Sequence, residues 1–169
     1  DYEIIDSPKK LDSNAKIIFP GVGAAGSAMK NLKKLRFNFR RVKSPFLGIC
    51  LGMQLLFHYS EENNCQCLGV IKGNVKKFSN QLKVPQIGWN KVEKNKENLL
   101  FKNIPDNTYF YFVNSYYVDT LDNYVAAKTL YGENFASVIM KDNFYGVQFH
   151  PEKSGEIGLK LLNNFCTLC

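Results

Sequence analysis

The sequence predicts an α/β fold: a central, mostly parallel sheet flanked by helices, with additional antiparallel strands. Three observations lead there. The first part of the chain alternates short apolar runs with stretches of helical period, the pattern of strands that pair in parallel through helical crossovers. Within 46–56 an apolar run turns abruptly from strand to helix at Cys50, between Gly48 and Gly52. Beyond Glu62 the chain changes to short alternating segments rich in aromatic and β-branched residues, which favour antiparallel pairing.

Taken in order, residues 2–5 are expected as a strand, and residues 16–19 as a second that runs into Pro20-Gly21-Val22-Gly23. A helix follows from near Ser27 towards Leu35, with Met29, Leu32, Leu35 and Phe39 marking its inward stripe. Pro45 opens the strand leading to Cys50, and Met53, Leu56, Phe57 and Ser60 then fall at helical spacing. Later strands are expected over 69–78, 84–92, 109–118, 125–129 and 135–140. Asp142-Asn143 makes a hairpin turn into a strand over 144–149. A closing helix over 156–165 has Ile157, Leu161 and Leu162 inward with Leu159 beside them. There are no repeats or linkers, so residues 1–169 are expected to form one domain.

A chain of 169 residues can bury about 70% of its unfolded surface in one core. Hydrophobic residues make up 45% and charged residues 22%, and no apolar run approaches the ~18 residues of a membrane span, so no membrane partner is expected. No secretory segment is visible. The five cysteines then point to a reducing, cytoplasmic setting with free thiols. Cys65-x-Cys67 has the wrong spacing for a zinc knuckle and Cys166-x-x-Cys169 ends the sequence, so neither a metal nor a cofactor is expected. The net charge of +7 is concentrated in Lys30, Lys33, Lys34, Arg36, Arg40, Arg41 and Lys43. The aromatics in this run are not arranged for base stacking and no nucleic-acid motif appears, which argues against nucleic acid. It reads as the solvated face of a helix, with attraction of a phosphorylated ligand or acidic partner as the lesser reading.

The spacing of Gly48, Cys50 and Gly52 is that of a nucleophile elbow, in which backbones cross too closely for side chains. Such a turn presents the thiol at a helix N-terminus, where the dipole favours thiolate. The plainer alternative is a buried strand whose cysteine packs as a small hydrophobe. A nucleophilic cysteine needs a base, and the chain has two histidines. His58 would lie about 12 Å further along the helix after Cys50, out of reach. His150 ends an apolar strand and is followed by Pro151 and Glu152; the two-residue offset can put the carboxylate on the imidazole's side to select the ring tautomer, the plainer alternative being a histidine that caps a strand end beside an unrelated surface glutamate. For an oxyanion, the Leu51 amide follows the nucleophile directly, and Pro20-Gly21-Val22-Gly23 offers a second donor or, alternatively, a simple tight turn.

Gly-Ile-Cys-Leu-Gly-Met-Gln at 48–54 and Phe-His-Pro-Glu at 149–152 together resemble the class I (triad) glutamine amidotransferases. Within that family, Pro20-Gly21-Val22-Gly23, Gly88-Trp89-Asn90, the run 109–117 and the segment 150–155 are similar to the glutaminase subunits of imidazole glycerol phosphate synthase. The resemblance implies a Cys50-His150-Glu152 triad that hydrolyses glutamine. It implies oxyanion donors at the amides of Leu51 and of Val22 or Gly23, and a glutamine pocket lined by Gln54, Glu62, Ser115 and Tyr116. It further implies a heterodimer with a (β/α)8-barrel cyclase, faced by Trp89, Asn90 and Lys153, to which ammonia passes in histidine biosynthesis. The same glutaminase serving another synthase, such as a sugar amidotransferase, and a non-catalytic module of the same fold are the alternatives.

The resemblance also implies an opening strand and helix of about 30 residues that this sequence lacks, the preferred reading being that the chain in hand is incomplete. Its strand would lie between those expected at 2–5 and 16–19, leaving a gap inside the sheet if absent. Gln86 and Asn114 stand where relatives commonly carry histidine and are expected to border the partner surface.

Overall fold

The computed structural model describes residues 2–5, 7, 15–35 and 38–169. Along the chain, β1 (Ile17–Gly21), α1 (Ala25–Lys34), β2 (Phe46–Cys50) and the short α2 (Leu51–Gln54) come first. Two brief strands, β3 (Tyr59–Ser60) and β4 (Cys65–Gln66), precede β5 (Gly73–Lys77), β6 (Gln86–Lys94), β7 (Thr108–Asn114) and β8 (Tyr116–Thr120). The chain closes with β9 (Val125–Tyr131), β10 (Glu133–Lys141), β11 (Phe144–Val147) and α3 (Gly155–Leu168).

The parallel centre is β1, β2 and β11, with β2 between the other two. All five β2 residues are buried, which is why Phe46 to Cys50 reads as a continuous apolar run rather than an alternating one. Gly21 pairs with Cys50 and Val147 with Ile49, so the carboxyl ends of all three strands meet at one edge. From β11 the sheet continues antiparallel through β10, β8 and β5, with β3 and β4 beyond them. The β6–β7 ribbon joins through β9.

Several expectations are corrected. Residues 2–5 carry no sheet pairing, and Tyr2 and Ile4 are exposed. A strand is held by ladder bonds to a neighbour, and among the described residues β1 pairs with β2 alone. Among the described residues β1 is therefore an end of the sheet, with β2 and β11 following it in order. The single strand expected over 109–118 is two, broken at Ser115: β7 pairs with β6, while β8 pairs with β5 and β10. The helix after Cys50 ends at Gln54, and Ser60 lies in β3. Leu55, Leu56 and Phe57 are all buried, so their burial is met in irregular backbone and not by one helix face. Phe39 is buried in a separate 3-10 turn and Leu35 is exposed, so the α1 stripe ends at Leu32.

The basic side chains of Lys30, Lys33, Lys34, Arg40, Arg41 and Lys43 are exposed, as a solvated face requires; Arg36 lies outside the described residues. Phenylalanines fill the core beneath the carboxyl ends of the strands. Phe149 stacks on Phe110 at 4.1 Å and meets Phe112 edge-on at 5.7 Å, each burial contributing about 1.5–3 kcal/mol. Into the same core α3 buries Leu161 and Phe165, and its Asn164 amide donates to the carbonyls of Leu100 and Lys102. Among the described residues no helix is long and apolar enough to cross a membrane.

Candidate active site

β2 ends in a strained turn. Cys50 has φ 51° and ψ −111°, a conformation that L residues avoid and that costs roughly 1–3 kcal/mol. The chain can turn so tightly only because Gly48 and Gly52 lack side chains. A Cβ on Gly52 would stand 2.0 Å from the Phe19 carbonyl oxygen, and one on Gly48 would stand 2.7 Å from the Gly52 oxygen and the Met53 nitrogen. The elbow spacing is thus a packing requirement between β1, β2 and α2.

The thiol lies inside this turn. Its Sγ donates weakly to the Val113 carbonyl at 3.9 Å and accepts from Gln148 Nε2 at 3.6 Å. Burial pushes the Cys50 thiol up to about 11; the Leu51 amide and Gln148 pull it down, while the charges of Glu152 and Glu62 push it further up. The favour that a helix N-terminus shows the thiolate is therefore outweighed by burial. A helix of four residues supplies too little dipole to outweigh desolvation.

His150 follows β11 and is held by its backbone. Its amide donates to the Tyr111 carbonyl at 2.8 Å, and its carbonyl accepts from the Ser154 hydroxyl at 2.7 Å. The Ser154 hydroxyl in turn accepts the Tyr111 amide at 3.0 Å. The imidazole is buried, and its Nδ1 faces Glu152 Oε1 at 2.7 Å. With Nδ1 engaged by Glu152, the other ring nitrogen is the one free for a further partner. Because β11 lies beside β2 in parallel register, His150 and Cys50 share one end of the sheet. His58 sits before β3 and is exposed, its amide bonded to the Gly73 carbonyl, and not on the helix after Cys50.

The segment Pro20 to Gly23 leaves β1 beside the elbow. Val22 is exposed and Gly23 has φ 95°, a left-handed conformation suited to glycine. Glu62 Oε2 accepts the Ala25 amide at 2.7 Å and Asn63 Oδ1 the Gly26 amide at 3.3 Å, so the β3–β4 connection caps α1, whose own Ala24 offers no side-chain cap. Gln54 is buried and its Nε2 donates to the Tyr116 carbonyl at 3.1 Å and to Gln148 Oε1 at 2.9 Å. Ser115, partly buried at the β7–β8 break, accepts the Phe78 amide on its carbonyl.

The family model of glutamine amidotransferase class-I matches residues 1–169. The chain is a class I glutamine amidotransferase. It is 50% identical over 169 residues to imidazole glycerol phosphate synthase subunit HisH of Methanocaldococcus jannaschii, covering 98% of this chain and 86% of that one. It is 52% identical over 159 residues to the subunit of the same name in Buchnera aphidicola, covering 92% and 80%. Among solved structures, a glutamine amidotransferase of Thermotoga maritima matches with a TM-score of 0.61 at 22% identity, over 96% of this chain and 66% of that one, a likeness of fold.

The amidotransferase carries an exposed face beside this site. Register pairs Trp89 with Tyr111, Ile87 with Val113 and Lys91 with Tyr109, which sets these side chains on the outer face of the β6–β7 ribbon. Ile87, Trp89 and Tyr109 are 64%, 54% and 51% exposed. Lys153, just past His150, is exposed too, whereas Asn90 is half-buried and ties β6 to β9 through the Leu130 carbonyl. Gln86 and Asn114, expected at the border of a partner surface, face inward opposite each other, and their side-chain oxygens are buried without a hydrogen-bond partner. Sequence reasoning missed Gln148, Ser154, Val113, Ile87 and Tyr109. Gln148 left a signal as the polar residue inside Val147-Gln148-Phe149, where a buried amide must find partners.

Proposed function

We propose that this enzyme is the glutaminase subunit of imidazole glycerol phosphate synthase, acting through Cys50, His150 and Glu152. The chemistry rests on one observation: Cys50 and His150 lie at the carboxyl ends of adjacent strands, with Glu152 fixing the imidazole at 2.7 Å. The choice of synthase is supported by the relatives named as its subunit, at 50% and 52% identity.

Glutamine binds with its carboxamide over Cys50, its amino-acid end held among Gln54, Glu62, Ser115 and Tyr116. Since burial keeps the thiol protonated, proton transfer to the free nitrogen of His150 accompanies attack of sulfur on the carboxamide carbon. The oxyanion is received by the amides of Leu51 and of Val22 or Gly23. Collapse expels ammonia, which takes the proton from His150, and leaves a glutamyl thioester on Cys50. His150 then deprotonates a water that attacks the thioester, and glutamate departs with the thiol restored.

The exposed Ile87, Trp89 and Tyr109, with Lys153, form the face for a (β/α)8-barrel cyclase in a cytoplasmic heterodimer, and ammonia leaves through that contact. The test is glutamate release by the full-length protein, alone and with the cyclase and its nucleotide ligand. Strong stimulation in the complete mixture is the expected result. Activity without stimulation would assign the glutaminase to another synthase, and a folded protein inactive in both states would overturn the catalytic reading.

A further inference from the structure

A chain of buried amides leads from the proposed glutamine pocket to the nucleophile, and its direction is fixed. The Tyr116 carbonyl can only accept, so it holds Gln54 with Nε2 turned towards it at 3.1 Å. The second hydrogen of that same Nε2 points at Gln148 at 2.9 Å, which obliges Gln148 to present Oε1 there. Rotating the Gln148 amide by half a turn would set donor against donor. Gln148 Nε2 is thereby directed at Cys50 Sγ, 3.6 Å away. Gln148 is fully buried and Gln54 nearly so, and water has little access to relax the arrangement.

We propose that Gln148 is the donor that holds the Cys50 thiolate as it forms, and that Gln54 and the Tyr116 carbonyl enforce its orientation. The inference rests on the reading of Cys50 as nucleophile and adds a residue to it. A thiolate gains more from an N–H donor than a thiol does, so this contact strengthens as the proton leaves. Such a donor matters here because burial and the charges of Glu152 and Glu62 all oppose ionisation of Cys50. The chain also ties the nucleophile to the segment 115–116, so a ligand that pulls on the Tyr116 carbonyl changes the donor at Sγ.

The test is the pH dependence of Cys50 alkylation by iodoacetamide, followed on the Cys50-bearing peptide by mass spectrometry in the parental full-length protein and three variants. Gln148→Met keeps the volume and removes the donor; its alkylation midpoint should rise by about one pH unit. Gln148→Glu still accepts from Gln54 and should raise the midpoint further. Gln54→Met leaves Gln148 intact but unlocks its amide, and should raise the midpoint by a smaller amount. A merely structural role would lower thermal stability in these variants and leave the midpoint in place. Unmoved midpoints in the variants that remain folded by circular dichroism would overturn the proposal. Failure of the nucleophile assignment is separate, since it would show as unchanged glutamate release in Cys50→Ala.

Discussion

The Tyr111 carbonyl accepts the His150 amide at 2.8 Å, so strand β7 holds the base of the proposed triad by its backbone. Two residues on, the Val113 carbonyl of the same strand takes the Cys50 thiol at 3.9 Å. The outward side chains of β7 belong to the exposed face beside Trp89 and Ile87. The carbonyls of one strand therefore bond the His150 backbone and the Cys50 thiol, while its outward side chains belong to the proposed partner face.

Ser154 closes this arrangement, because its hydroxyl bonds both the Tyr111 amide and the His150 carbonyl. Ser154→Ala leaves these groups without that partner in a buried place, a cost of about 1–3 kcal/mol. The imidazole would shift relative to Cys50, and kcat should fall by about 10–100-fold with KM little changed. Steady-state glutamate release by the stimulated complex, with thermal unfolding in parallel, checks both numbers; an unchanged kcat would show that the clamp does not position His150.

The turn after His150 is also pressed from below by α3. A Cβ on Gly158 would stand 1.9 Å from the Pro151 carbonyl oxygen, and that oxygen already accepts the Ser154 amide at 3.0 Å. Gly158→Ala must push the helix and the turn apart, displacing Glu152 from His150. Glutaminase activity should drop by at least about tenfold while the far-ultraviolet circular dichroism stays close to the parental spectrum. Retained full activity would mean that the turn tolerates the displacement.

The residues that were legible in the sequence are those whose constraint is local. Gly48, Cys50 and Gly52 announce the elbow because the clash that excludes side chains arises within a few residues and the adjoining strand. His150 and Glu152 are legible because a two-residue offset at a strand end fixes their mutual geometry. The break at Ser115 was not, since alternation continues through it and only pairing with two different ribbons reveals it. The length of α2 was not, since Leu55, Leu56 and Phe57 are buried on all sides and mimic a helical stripe. Nor was the state of the thiol, which depends on burial by Val113 and Gln148 from strands far along the chain.

Trp89 packs edge-on against Tyr111 at 5.9 Å and still leaves about half of its surface open. On the proposed partner face it is the large aromatic of the type that dominates binding energies. Trp89→Ala should weaken cyclase binding by about 2 kcal/mol, roughly 30-fold in Kd, and reduce stimulated glutamate release at limiting cyclase. Isothermal titration of the full-length protein with the cyclase measures the first effect directly. A Kd within about twofold of the parental value would remove Trp89 from the interface.

Burial holds the Cys50 thiol at about 11 against an ordinary value of 9.0, and this links stability to alkaline pH. Between these values the native thiol stays protonated while the unfolded one ionises. The native state then binds more protons, so the stabilisation is complete below pH 9.0 and is lost as pH rises towards about 11. The slope is about 1.4 kcal/mol per pH unit, or roughly 2–3 kcal/mol across the window. Cys50→Ala has no thiol to ionise there and should escape this loss, although Cys67, pushed up to about 12, still contributes a slope of its own in both proteins. Urea unfolding at pH 8.5, 9.5 and 10.5 should therefore show the stability difference between the parental protein and the variant moving steadily in the variant's favour. Parallel pH profiles would mean that the thiol ionises equally well in the folded and unfolded chains and that burial does not hold it up.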